Sequence, residues 1–224
     1  MIGDEMKAYL SVPQLLVLSV AVLVLSVLVG TGFWKWQTNR QQQRFEERPL
    51  EGLKSFGIVP EFSFIERDGR RVTLAELKGK VWIVNFIYTN CPDTCPVQSA
   101  QMRQIQEDFK NDKDLRLVSI TVDPTRDTSQ VLTQYAKRFS ADPARWFFLT
   151  GEKETIYKFA QDGFRLGTVE LPHEKRPESG ATHTHSPRFV LVDRDTQIRG
   201  YYVSTDPEAM KRLRSDLKVL LDGV

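Results

Sequence analysis

The sequence predicts an α/β domain built on a mixed central sheet, and three observations carry that prediction. Apolar runs rich in β-branched and aromatic residues, one starting at Val81 and one over Leu115–Val122, read as buried strands. Segments of helical periodicity stand between such runs. Two adjacent strand-like runs, Arg188–Val192 and Ile198–Val203, then close the pattern ahead of a last helix.

The chain of 224 residues has room for a membrane segment and one domain of ordinary size. No charged residue occurs from Ala8 to Trp34, with Tyr9, Phe33, Trp34 and Trp36 as aromatics at the two ends. This predicts one uncleaved transmembrane helix within a membrane anchor over residues 1–36. Only Lys7 supplies a basic n-region, and no clear small-x-small cleavage site precedes the aromatics. Residues 37–57 are rich in Gln, Arg and Glu and read as a polar linker, leaving residues 58–224 as the domain.

Within the domain, Phe62–Ile65 alternates as a short strand, Asp68-Gly69 is a hairpin-type turn, and Val72–Leu77 forms a brief helical turn. Val97, Met102, Ile105 and Phe109 mark an amphipathic helix, and a further helix runs from Ser129 to Phe139. Trp146–Leu149 is a strand and Glu152–Gln161 a helix. Phe164–Gly180, with its two prolines, is expected to be irregular. Asp206-Pro207 starts a C-terminal helix with Met210, Leu213, Leu217 and Leu220 on one face.

Function classes narrow quickly. A formal net charge of +2 without a basic stripe gives no reason to expect nucleic acid. Two cysteines cannot make a disulfide framework. Those two, Cys91 and Cys95, stand in a Cys-x-x-x-Cys loop where the Val81 strand turns into a helix, with Pro92 and Pro96 suited to its first turn. The positive end of a helix favours thiolate over thiol, and thiolates bind soft metals or exchange disulfides. The alternative is an inert pair of small core residues, which the polar, proline-punctuated loop argues against.

All three histidines, His173, His183 and His185, lie close together, the last two just before a strand. If that loop reaches the Cys loop, two thiolates and an imidazole converge and leave an exchangeable coordination position. By spacing alone, a histidine ahead of a strand is more often a surface or capping residue.

Three blocks decide more. Tyr88-Thr-Asn-Cys91-Pro-Asp-Thr-Cys95-Pro96, Ser119-Ile-Thr-Val-Asp123-Pro-Thr-Arg-Asp127-Thr and His185-Ser-Pro-Arg-Phe-Val-Leu-Val-Asp193 occur in that order. Together they resemble the Sco/SenC family of membrane-anchored copper chaperones, from about Pro60 to the C-terminus. The resemblance implies a thioredoxin-like fold and a copper ion, Cu(I) or Cu(II), held by Cys91, Cys95 and His185. It also implies a role in maturing the binuclear copper site of cytochrome c oxidase subunit II. His183 is a neighbour that could face the same way on an extended strand. The family often carries Asp directly before the ligand histidine, where this chain has Thr184. Asp93 and Asp123 match the family, although a helix cap and a strand-end turn explain them as well.

On this reading Cys91 and Cys95 are also a redox pair, returned to the dithiol by a thiol reductant protein. Such a site calls for the extracytoplasmic side of a bacterial inner membrane. Lys35, Arg40, Arg44 and Arg48 behind the anchor would by count alone keep the domain in the cytoplasm. The chemistry overrules that count. The rival reading is an enzyme, a membrane-tethered thiol-disulfide oxidoreductase with no obligatory metal. Three residues between the cysteines, rather than two, favour ligands over a tight redox pair.

Overall fold

The computed structural model describes residues 23, 25–33, 35, 53–172, 174 and 181–223, with the backbone alone for Val169, Thr184 and His185. The chain divides into two units, Met1–Arg48 and Pro49–Val224. In the first, residues 25–33 are helical (α1), and Leu25, Val27, Leu28, Val29 and Phe33 present exposed apolar side chains. Among the described residues no helix is long and apolar enough to cross a membrane. Most of the predicted span and of the predicted linker lies outside the described residues.

The second unit holds a seven-stranded sheet in the order β2-β1-β5-β4-β3-β8-β9. Its strands are β1 (Ser63–Glu66), β2 (Arg71–Thr73), β3 (Val81–Ile87), β4 (Leu115–Thr121), β5 (Trp146–Thr150), β8 (Arg188–Val192) and β9 (Ile198–Val203). The helices are α2 (Leu74–Leu77), α3 (Thr94–Asp108), α4 (Ser129–Arg138), α5 (Lys153–Lys158) and α6 (Pro207–Asp222). β3 runs parallel to β4 and antiparallel to β8, and β4 runs parallel to β5. The mixed sheet with flanking helices is thioredoxin-like.

All seven residues of β3 are buried, which explains its nearly unbroken apolar run. Trp82 and Phe86 point to one face, where both meet Phe164 edge-on at 6.3 and 5.8 Å between ring centroids. Phe159 joins the same cluster and carries it to Phe62 and Phe64. Asn85 lies one residue out of phase and therefore on the other face. Its Oδ1 accepts from Ser119 Oγ at 2.8 Å, and that Oγ accepts from Trp146 Nε1 at 3.0 Å. On the helix side, the hydroxyls of Tyr135 in α4 and Ser99 in α3 share a hydrogen bond of 2.9 Å. Arg214 of α6 reaches Asp108 of α3 at 2.9 Å.

Several expectations shift. The helical turn expected over Val72–Leu77 is divided between β2, paired with β1 across the Asp68-Gly69 turn, and the single turn α2. The helix expected over Glu152–Gln161 is α up to Lys158 and then widens into a π turn, Phe159–Gly163. Gly163 permits close packing there, since a Cβ would stand 3.0 Å from the Pro60 ring. The stretch expected to be irregular contains β6 (Thr168–Glu170), antiparallel to β7 (His183–His185) in a separate two-stranded sheet. Three-residue strands paired across a long connection leave no periodicity to read.

Glu66 is buried, and its carboxylate accepts from the Asp68 N–H at 2.7 Å and the Phe148 N–H at 3.2 Å. Burial raises its pKa above the ordinary 4.5, and the two N–H donors offset only part of that. A raised carboxylate binds its proton more tightly in the folded state. Its contribution to stability is therefore gained as pH falls through the raised value and lost as pH rises. Urea unfolding at pH 7 and at pH 5 should show the wild type gaining stability from this group at the lower pH. The Glu66→Gln variant should lose that gain; an identical pH dependence in both proteins would refute it.

Candidate metal-binding dithiol

The C-terminal end of β3 delivers Tyr88 and Thr89 to the cysteine loop, where open α/β sheets place their sites. α3 begins at Thr94, so Cys91 precedes the helix while Cys95 sits in its first turn. Pro92 lies in the loop ahead of the helix rather than in its first turn. Asp93 holds the N-cap position, but its exposed side chain makes no capping hydrogen bond. Capping therefore does not account for this aspartate.

Both cysteines are thiols and both are buried, Cys91 with 8% of its surface exposed and Cys95 with none. The polar, proline-punctuated loop thus encloses its two sulfurs rather than exposing them. Burial is the largest influence on the Cys95 thiol and pushes its pKa far up, with the neighbouring Cys91 adding to the rise. That burial acts against the positive end of α3, which by itself favours thiolate.

The two sulfurs lie within hydrogen-bonding reach of each other, with Cys95 donating to Cys91. The Cys95 sulfur accepts from the Tyr88 backbone N–H. The Tyr88 hydroxyl donates to the Cys91 sulfur and accepts from the His183 backbone N–H. The Tyr88 ring also lies 5.1 Å from the His183 ring, centroid to centroid. One buried tyrosine thus touches both cysteines and strand β7.

His183 is buried, and its Nδ1 shares a hydrogen bond of 2.9 Å with the Thr182 hydroxyl. Burial lowers its pKa below 6.5 despite Asp123 and Glu170, so the ring is neutral near pH 7. It lines an open cleft of about 430 Å³ with Asp123, Arg126, Lys153 and Glu170. Arg126 pairs with Asp123 at 3.8 Å and Lys153 with Glu170, so the cleft carries both signs of charge. Among the described residues, no three His, Cys, Asp or Glu side chains stand close enough to hold a metal ion. His183 therefore does not complete a three-donor set with the cysteines. His185 lies two residues further along β7, opposite Thr168, with its backbone alone described. His173 lies outside the described residues.

Two residues inside the quoted blocks had no role assigned from sequence. Asp127 has no exposed surface, and its carboxylate accepts from Thr121 Oγ1 at 2.5 Å, Thr89 Oγ1 at 2.5 Å and Thr89 N–H at 3.0 Å. It binds the end of β4 to the chain entering the cysteine loop. Tyr88 is the other. The available clue was their place in those blocks, because an aspartate after Pro-Thr-Arg otherwise reads as a turn residue. Asp123 does take part in such a turn, its carbonyl accepting from Arg126 and Asp127 N–H. Gln98, one turn beyond Cys95, is fully buried, and neither atom of its amide has a hydrogen-bond partner among the described residues.

A thioredoxin-like sheet with a buried Cys-x-x-x-Cys dithiol at the end of its central strand, beside a histidine-bearing strand, defines a class of thiol-based metal-binding and redox domains. Within that class the chain belongs to the SCO1/SenC family, whose model matches residues 51–221. It is 33% identical over 162 residues to the SCO1 protein homolog of Bacillus subtilis, covering 71% of this chain and 81% of that one. Its fold matches BsSco, a member of the Sco family of cytochrome c oxidase assembly proteins with a disulfide switch. There the TM-score is 0.65 at 30% identity, over 76% of this chain and 98% of the other. It also matches Bradyrhizobium japonicum ScoI with copper bound, with a TM-score of 0.61 at 27% identity over 73% and 99%.

Proposed function

We propose that this chain is a membrane-anchored copper metallochaperone. Its domain stands on the extracytoplasmic side of a bacterial inner membrane. Its recipient is the binuclear copper site of cytochrome c oxidase subunit II, whose cysteines it delivers copper to or reduces. The observation that carries this reading is the pair of buried sulfurs, joined through Tyr88 to the strand that bears His185. Family membership and the copper-bound ScoI relative support it.

The donor set fits the cargo. Two thiolates and an imidazole suit a soft copper ion, and three ligands leave a position at which the acceptor's own sulfur can enter. Delivery is then a sequence of ligand exchanges from Cys91, Cys95 and His185 to the acceptor. A thiol reductant protein returns the pair to the dithiol whenever it has oxidised. Because both sulfurs must lose a proton to bind, copper affinity falls as pH falls.

A second reading, thiol-disulfide exchange without metal, draws on the asymmetry of the pair: Cys91 is the less buried sulfur and Cys95 the more enclosed. Attack by or on one accessible sulfur, resolved by an enclosed second, follows the usual course of such exchange.

Copper titration of the reduced full-length chain in detergent separates the two. The metallochaperone should bind one ion per chain. Cys91→Ser should abolish tight binding, and His185→Ala should weaken it at least tenfold. No binding by the wild type, or binding indifferent to His185, would overturn the chaperone reading and leave the redox pair.

A further inference from the structure

Tyr88 is an unusual group to bury beside a dithiol. Only 1% of it is exposed, yet its hydroxyl is satisfied on both sides, by the His183 N–H as donor and the Cys91 sulfur as acceptor. The ring is clamped against His183, and its backbone N–H holds the other sulfur, Cys95. We propose that Tyr88 is a positioning residue whose hydroxyl tunes the Cys91 sulfur, setting both the dithiol–disulfide balance and the electron density that sulfur offers a bound metal.

In the reduced pair the Cys91 sulfur accepts from the Cys95 thiol and so takes on thiolate character, which makes it a better acceptor than a disulfide sulfur, and a fixed O–H donor then stabilises the reduced pair selectively. In the exchange, the Cys91–Cys95 bond breaks as two glutathione thiols are oxidised to one glutathione disulfide. The two protons and two electrons pass to the cysteine sulfurs. Tyr88 donates a hydrogen bond and transfers no proton. In the metal-bound state the same donor withdraws charge from the sulfur. That part of the inference rests on the copper reading above, whereas the dithiol balance does not.

The test replaces Tyr88 in the full-length chain by Phe, which keeps the ring against His183 and deletes the donor. Equilibration in glutathione buffers of graded ratio should show Tyr88→Phe displaced about tenfold toward the disulfide, roughly 30 mV in potential. Its sulfur-to-copper(II) charge-transfer band should move to longer wavelength. Tyr88→3-fluorotyrosine, a stronger donor of nearly the same size, should move both in the opposite sense, and it decides the matter should the Phe variant fold poorly. A purely structural role would lower the melting temperature and leave these two readouts in place. Balance and band unchanged in a folded variant, or shifted alike by both substitutions, would overturn the inference. A wild type that binds no copper would refute the copper reading instead, while the glutathione balance still tests Tyr88.

Discussion

Phe164→Ala is expected to destabilise the domain by about 4 kcal/mol, the usual cost of emptying a buried phenylalanine site. Phe164 has no exposed surface and closes an aromatic cluster with Trp82, Phe86 and Phe159. Three flat, rigid neighbours cannot collapse into the void without leaving their own contacts, so relaxation should recover little of the loss. Phe164 also follows the π turn from which the chain leaves for β6, and β6 is the strand that holds β7. The same variant should therefore loosen the histidine strand before the sheet melts. Urea unfolding measures the first effect, and faster amide exchange over residues 168–172 and 181–185 the second. A loss below about 1 kcal/mol would mean that the segment from Lys153 to Phe164 is not held to the sheet as described.

Asp127→Ala should cost about 3 kcal/mol and weaken copper binding about tenfold, although the side chain is not one of the proposed ligands. Removing the carboxylate leaves the Thr89 N–H and two threonine hydroxyls without their acceptor in a buried place. The carboxylate is itself costly to bury, and burial raises its pKa above 3.8. Part of the lost hydrogen bonding is accordingly offset by relief of desolvation, which keeps the expected loss near 3 kcal/mol rather than the sum of three charged hydrogen bonds. Asp127→Asn is the informative companion. Its oxygen can take the place of Oδ2, accepting from Thr89 N–H and Thr121, while its amide donates to the Thr89 hydroxyl, which turns to accept. Stability should return to within about 1 kcal/mol of wild type. Should Ala and Asn prove equally damaging, the charge rather than the hydrogen-bond geometry would be what the loop requires.

Much of the sheet was legible because strand burial writes itself into composition. β3 and β4 are buried along almost their whole length and read as mainly apolar runs, and α6 announced itself through Asp206, Pro207 and a regular apolar stripe. β6 and β7 were not legible. Three residues cannot show a period of two, and their pairing depends on a contact between chain segments well apart in sequence. The π turn at Phe159–Gly163 was hidden for a related reason, since it continues a helix without a break in pattern and ends where Gly163 packs closely against Pro60, a residue distant in sequence.

For the site the division is similar. The sequence by itself determined the chemistry on offer: two cysteines four residues apart at the end of a core strand, with the histidines gathered just before another. Residue type and spacing dictate that much, because thiolate and imidazole are soft-metal donors wherever the chain places them. Only the tertiary structure decided the environment in which they act. Folding buries both sulfurs, so that desolvation raises the Cys95 thiol, and it seats the Tyr88 hydroxyl between Cys91 and the backbone of His183. Burial and hydrogen bonding belong to residues brought together from Tyr88, Cys91, Asp127 and His183, and no local pattern in the chain records the distance between them.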